Sequence, residues 1–280
     1  MGSINQKSIF YVAKKEFLDN IRNKWVIILT VLLFLLVLLF SYLAGANGRL
    51  ADPQVTAIRL ISISSIVIPL IAIILGFSTI SGEAESGSFS VVLSYPVTRL
   101  EVLLGKFFGL GLVIVASILV GFGIGGIIIT ITTSGEYWLG FLIFIFLTVL
   151  LGLIYLSLSI CISSYFKRRI TSIGGGLILF FWGQILGSIF LGILIGTGYK
   201  IEELGRAGLP SWYWVQDFLN PTSLNQIAVL RGFGLDQLGL GAGSVTLPDF
   251  LSTGAVMLVH VLWLIIPLII AYFFFKRRDI

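Results

Sequence analysis

Residues 82–106 read GEAESGSFSVVLSYPVTRLEVLLGK. This stretch sets three carboxylates, a proline, an arginine and a lysine between two long runs that are almost free of charge. A soluble protein would scatter such groups along every helix. Here they are confined to an island, so the flanking runs are the lipid-facing part and the island is a loop between two membrane spans.

Composition agrees with that reading. Of 280 residues, 57% are hydrophobic and only 11% charged, and the mean hydropathy is +1.06. Soluble domains carry about a quarter charged residues. Six runs are long enough to span a bilayer, which takes about 20 apolar residues. They lie near 25–44, 60–80, 103–132, 138–163, 171–198 and 253–275. None shows the alternation of a barrel strand, so the fold class is an all-α integral membrane protein with six transmembrane helices. The whole chain, 1–280, reads as a single transmembrane domain.

With both termini on one side, that side receives 13 of the 18 Lys and Arg residues, among them Lys14, Lys106, Lys167, Arg168, Arg169 and Arg277. The positive-inside rule then makes both termini cytoplasmic, in a multi-pass plasma-membrane protein. Ala44-Gly45-Ala46 has the small-residue pattern of a cleavage site. The apolar stretch before it is longer than a signal core, so a retained first helix is expected. Ahead of it, residues 5–24 place Phe10, Ala13, Phe17 and Ile21 on one helical face and Lys15, Asp19 and Arg22 opposite. That pattern predicts an amphipathic helix lying in the interface as an anchor. The extracytoplasmic loop 199–252 contains SWYWVQDFLNPTSLNQIAVLRGFG at 211–234. Its aromatic run predicts one or two short helices within 209–235 lying on, or dipping into, the outer leaflet, and the Gly-rich 234–250 predicts a flexible return to the last span.

Chemistry-bearing groups are scarce. There is no phosphate loop; Gly105-Lys106 lacks the upstream glycine and is followed by Phe107. Cys161 and His260 are the sole cysteine and histidine, too few for a metal site, and none is expected. Glu83 and Glu85 diverge on a helix and make a poor acid/base pair, so no catalytic residue is assigned and the chain reads as a non-enzyme. His260 lies near the outer start of the last span, where an imidazole can reach water. Gly121-x-x-x-Gly125, Gly183-x-x-x-Gly187 and Gly192-x-x-x-Gly196 have the spacing that lets helices approach closely, within the subunit or across a dimer.

Within the island, Thr98-Arg99-Leu100-Glu101 fits a capping box, so a helix starts at Arg99 and continues into the third span. Pro96 ends whatever precedes it. Residues 82–94 are therefore expected to form a short helix of their own, with Phe89, Val92 and Leu93 on one side, suited to being gripped by another protein.

The pattern Glu83-x-Glu85-x-Gly87-Ser88, Leu93-Ser94-x-Pro96-Val97-x-Arg99, Gly105-Lys106 resembles the first cytoplasmic loop of ABC-2-type transporter permeases. The resemblance is to the branch that includes the nitrous-oxide-reductase maturation permease. Phe218-Leu219-Asn220-Pro221 resembles an outer-loop element of that branch, and the six-span layout agrees over the whole chain. Ser88 departs mildly from the usual threonine. The resemblance implies that 82–94 is a coupling helix, with Glu83, Glu85, Gly87, Ser88, Phe89, Leu93, Pro96 and Arg99 contacting a separate ATPase subunit. Lys167, Arg168 and Arg169 either add a second contact or serve as plain positive-inside anchors.

On this resemblance the chain is expected to be the transmembrane subunit of an ABC transporter, paired as a dimer, with ATP and magnesium bound by the partner ATPase. An export-like cycle follows, with a lipid-like, hydrophobic or peptide cargo, or force transmitted to an extracytoplasmic partner. No substrate-binding residue is assigned and no nucleic acid is expected. Three other classes fit the same composition: an ion-gradient-driven secondary transporter, a membrane enzyme with His260 as a poor sole candidate, and a non-transporting membrane assembly subunit.

Overall fold

The computed structural model describes residues 5–46, 53–89, 96–132, 138–199, 209–235, 237–240 and 243–278. Helices α1 (Gln6–Asn20) and α2 (Lys24–Ala46) meet at a bend of 70°. Then follow α3 (Pro53–Gly76), the short α4 (Ser81–Glu85), α5 (Arg99–Thr132), α6 (Trp138–Tyr165) and α7 (Arg169–Gly196). A 3₁₀ turn (Ser211–Trp214), α8 (Val215–Leu219) and α9 (Pro221–Gly232) lead to a hairpin and then to α10 (Thr253–Lys276). The fold is all-α and membrane-spanning: among the described residues five helices are long and apolar enough to cross a bilayer, and six if the bent α1–α2 pair is one span.

Helix ends follow local chemistry. Asn5 caps α1 by accepting from the Lys7 amide at 3.0 Å, and Asn220 caps α9 the same way with Pro221 at the first helical position. At α5 the capping box is complete. The Thr98 amide donates to Glu101 Oε2 at 2.8 Å and the Glu101 amide donates to Thr98 Oγ1 at 3.3 Å. Helix α5 has 34 residues, or about 51 Å at 1.5 Å per residue. It is the mast of the bundle: α1, α2, α3, α6 and α10 all pack on it.

Three departures from the sequence reading have clear causes. The region 82–94 is not one helix. Helix α4 stops at Glu85, and Gly87 takes a φ of 75° before helical backbone resumes at Ser88 and Phe89. Only glycine enters that region freely, and the Ser86 and Ser88 hydroxyls donate to the Glu83 carbonyl that a continuing helix would have used. Residues 90–95, Leu93 included, lie outside the described residues.

The second departure is in the outer module. Its short helices form where expected, and α9 buries Leu224, Asn225, Ile227, Val229 and Leu230 among α3, α6 and α10. The Gly-rich return forms an antiparallel hairpin, β1 (Gln237–Leu240) with β2 (Gly243–Thr246), in which Gln237 faces Thr246 and Leu240 faces Gly243.

The third concerns glycines. Gly121 does admit a neighbour, since a Cβ there would stand 2.4 Å from Leu33 Cδ2 of α2. Gly183 receives Asn220, whereas Gly192 and Gly196 face open space. The tightest crossing lies at a different pair of this spacing. A Cβ on Gly105 would meet Val12 at 2.6 Å, and one on Gly109 the Ala13 carbonyl oxygen at 2.4 Å. Helix α1 therefore crosses α5 in near backbone contact, which only small residues permit.

Replacing Gly109 with alanine should push α1 off α5 and destabilise the protein by about 1–3 kcal/mol despite alanine's better helix propensity. Gly123→Ala, with nothing within 4 Å of its Cβ, should be neutral or slightly stabilising. Thermal unfolding of both in the same detergent checks the contrast.

Candidate functional site

Asn5 before α1, Arg278 after α10, the 82–89 segment and the loop between α6 and α7 come together at one end of the bundle. The centre of this end is Lys106 on α5. Its side chain is 2% exposed, and its ammonium donates at 2.7 Å to Glu16 Oε1 of α1 and at 2.7 Å to Glu83 Oε1 of α4. The Glu16 side chain is 7% exposed, and Lys15 stands 3.7 Å from Glu16 and 4.0 Å from Glu83. Glu83 Oε2 is buried and has no hydrogen-bond partner among the described residues. Two carboxylates on one ammonium tie three separate helices at a single point.

Removing such charges from water is expensive, and mutual attraction offsets it only while every member is present. Phe89 completes the site. It is fully buried, its ring centroid lies 5.2 Å from that of Phe275, and the Lys106 ammonium is 5.8 Å above its face.

Around this centre the helix ends are stitched to one another. Arg99 Nη1 donates to the carbonyls of Phe275, Lys276 and Arg278 at 2.7, 2.9 and 2.7 Å, capping the end of α10. Arg278 donates to the Ser163 and Lys167 carbonyls at the end of α6. Glu85 Oε2 accepts the Arg169 amide at the start of α7 at 2.7 Å, where a carboxylate also suits the helix dipole. Ser163 Oγ accepts the amides of Ile80 and Ser81. Glu101, already in the capping box, accepts the Asn5 amide at 2.6 Å. One end of the molecule thus forms a plate of interlocked helix termini.

The residues expected to contact a partner divide accordingly. Glu83, Phe89 and Arg99 are engaged inside the chain, so the apolar face anticipated for Phe89 is spent on α10 and the Lys106 site. Glu85, Ser86, Gly87 and Ser88 are exposed, and Pro96 is exposed beyond the undescribed gap. Lys167 and Arg168 are exposed; the Arg169 guanidinium lies 5.8 Å over the Phe77 ring. Beside the ion site is a polar pocket of about 380 Å³ whose lining includes Lys15, Asp19, Thr79, Ser86 and Arg169.

Sequence reasoning missed Glu16 because it sits between the polar and apolar faces of α1. The signal was present: a glutamate flanked by Lys15 and Phe17, four residues after Val12, with glycines four apart on another helix. His260 is sealed rather than wetted. It is fully buried, and its Nδ1–H donates to the Val256 carbonyl at 2.8 Å. The outer module packs over that end of α10 and removes the route to water. No group of three or more His, Cys, Asp or Glu suited to a metal occurs among the described residues.

Known proteins share the pattern of the whole chain. A family model described as an ABC-2 family transporter protein matches residues 10–280. A "Probable ABC transporter permease protein NosY" from Stutzerimonas stutzeri is 28% identical over 279 residues, covering 96% of this chain and 98% of its own length. A protein of the same description from Pseudomonas aeruginosa is 32% identical over 283 residues, covering 97% and 99%.

Lys106→Met leaves buried Glu16 and half-buried Glu83 with only the exposed Lys15 as a nearby cation and should cost about 2–4 kcal/mol, somewhat less than breaking a fully buried pair. Adding Glu16→Gln and Glu83→Gln to Lys106→Met should restore most of that loss, because the stranded charges are gone. Chemical or thermal unfolding of the single and triple variants in detergent measures both.

Proposed function

The chain belongs to the ABC-2 family of transporter proteins, and on that premise we propose that its plate end receives force from a separate ATP-hydrolysing subunit. The observation that carries this is the Lys106 site. The exposed turn 85–88 is the tip of a segment fixed through Glu83 and Phe89 to α1, α5 and α10, so a push on it reaches several spans at once. ATP and magnesium belong to the partner chain, and this chain supplies no hydrolytic group. The plate end faces the cytoplasm of the plasma membrane, in accord with its share of the basic residues. Rigid-body tilting of spans between two packings then performs export or mechanical work.

A second copy of the chain is proposed on α7. Only 6% of its most apolar stretch is buried within the chain, against 67% for α3 with α4 and for α5. Its outward face carries a groove of about 600 Å³ in which Gln184 and Ser188 stand among Leu177, Ile178, Phe181 and Ile185. An exposed amide at mid-membrane is costly in lipid and favourable against another helix.

Pull-down from native membranes tests the first part. Wild type should recover an ATPase subunit, and Ser88→Trp, at an exposed position, should lose at least about 90% of it while the permease stays folded. Equal recovery by both would remove the turn from the interface, and recovery by neither would remove the ATPase partnership. For the second part, Phe181→Asp should shift the protein from dimer to monomer in lipid nanodiscs weighed by mass photometry, and an unchanged dimer would clear α7 of the role.

A further inference from the structure

Asp217 of α8 is buried beside the middle of α7, well away from the plate, with the Ser223 hydroxyl of α9 near it. A carboxylate withdrawn from water needs a cation or several N–H donors. The elements packed on α8 are α7, α9 and the 3₁₀ turn 211–214; α10 reaches it through Trp263, and the turn 249–251, which carries Asp249, reaches it through Phe250 stacked on Phe218. The one charged residue of α7 is Arg169, at its first position. Helix α7 meets the α8 segment at Gly183 and Gly187, against Asn220 and Gln216. Arg169 is therefore roughly 20 Å away along the helix axis.

Helix α9 carries Arg231, whose guanidinium donates to the Pro248 carbonyl at 3.3 Å. The 3₁₀ turn offers the Tyr213 phenol. Helix α10 carries His260, bonded to Val256, with Tyr272 and Lys276 toward its far end. Among the described residues no cation meets the Asp217 carboxyl, and burial pushes it up to about 7.

Helix α8 is also a clasp. Trp182 of α7 donates its indole N–H to the Leu219 carbonyl at 3.1 Å, and Trp263 of α10 donates to the Phe218 carbonyl at 2.9 Å. Asn220 sits against Gly183 of α7. Elsewhere α7 is bonded to the bundle at its first turn, through the Arg169 amide and the Ser172 hydroxyl on the Phe77 carbonyl. Among the described residues the side-chain hydrogen bonds beyond the first turn of α7 that reach another element run to the segment that holds Asp217, beside the packing of Phe190 on Trp212 and Tyr213 of the preceding turn.

We propose that Asp217 is a proton-operated clasp: protonated, it packs and α8 holds α7 to α10; ionised, it draws in water and releases the outer half of α7. The sign follows from linkage. The closed module holds the proton more tightly than an open one, in which the carboxyl returns to its ordinary value near 3.8. Closure is favoured most at low pH, weakens as pH rises through the window from 3.8 to about 7, and weakens no further above it. The clasp is independent of the docking turn and of any ATPase.

The test is a nitroxide label at Leu191→Cys on α7, in a Cys161→Ser background, with the full chain in nanodiscs between about pH 4 and pH 8. The ratio of mobile to immobile label should rise roughly tenfold or more with pH, and Asp217→Asn should hold it at the low-pH value throughout. Asp217→Leu, which needs no hydrogen-bond partner, replaces the asparagine variant if that one fails to fold. A ratio that ignores pH in the parent, or a rise that survives in the neutral variants, would overturn the proposal.

Discussion

The buried ammonium of Lys106 is the constraint on which the plate end depends. An ammonium with three N–H groups can serve two carboxylates only if the helices bearing them converge to within hydrogen-bond reach. Helix α1 can reach that point because Gly105 and Gly109 let its backbone lie against α5. Segment 81–89 can reach it because Gly87 turns the chain and Phe89 anchors the far side on α10. Sterics and electrostatics therefore specify the same arrangement, and loss of either would leave charge stranded in a poorly hydrated place.

Stitching of helix termini spreads this local order. Each helix end leaves backbone groups without intrahelical partners. Here many of them are taken by side chains from a neighbouring element: Arg99 for α10, Arg278 for α6, Glu85 for α7. Such a plate resists deformation and tends to move as a body. The opposite end is built differently, by apolar burial of α9 and two indole bonds to α8, with fewer charges and a span, α7, that has little packing inside the chain.

That asymmetry gives the molecule a stiff end and a loosely clasped one. A force-receiving surface benefits from rigidity, because displacement at one turn is then delivered to several spans. A span that must change neighbours benefits from few intrachain contacts. The two properties arise from different residue types at the two ends of the same helices.

The amino-acid sequence by itself determined the all-α membrane-spanning class and the start of α5 at Arg99, because hydropathy and capping act over a few residues of chain. It also pointed to the 82–106 island as the site of interest. Only the tertiary structure decided how that island is used. Glu16, Glu83 and Lys106 are far apart in the chain, and α1 is drawn onto α5 by glycines whose purpose shows only when a second helix crosses them. Phe89 reads as a docking face in the sequence, and in the fold α10 covers it. His260 reads as wetted, and the outer module closes over it. Pairing of charges and covering of apolar faces are properties of neighbours in space, and a sequence records neighbours along the chain.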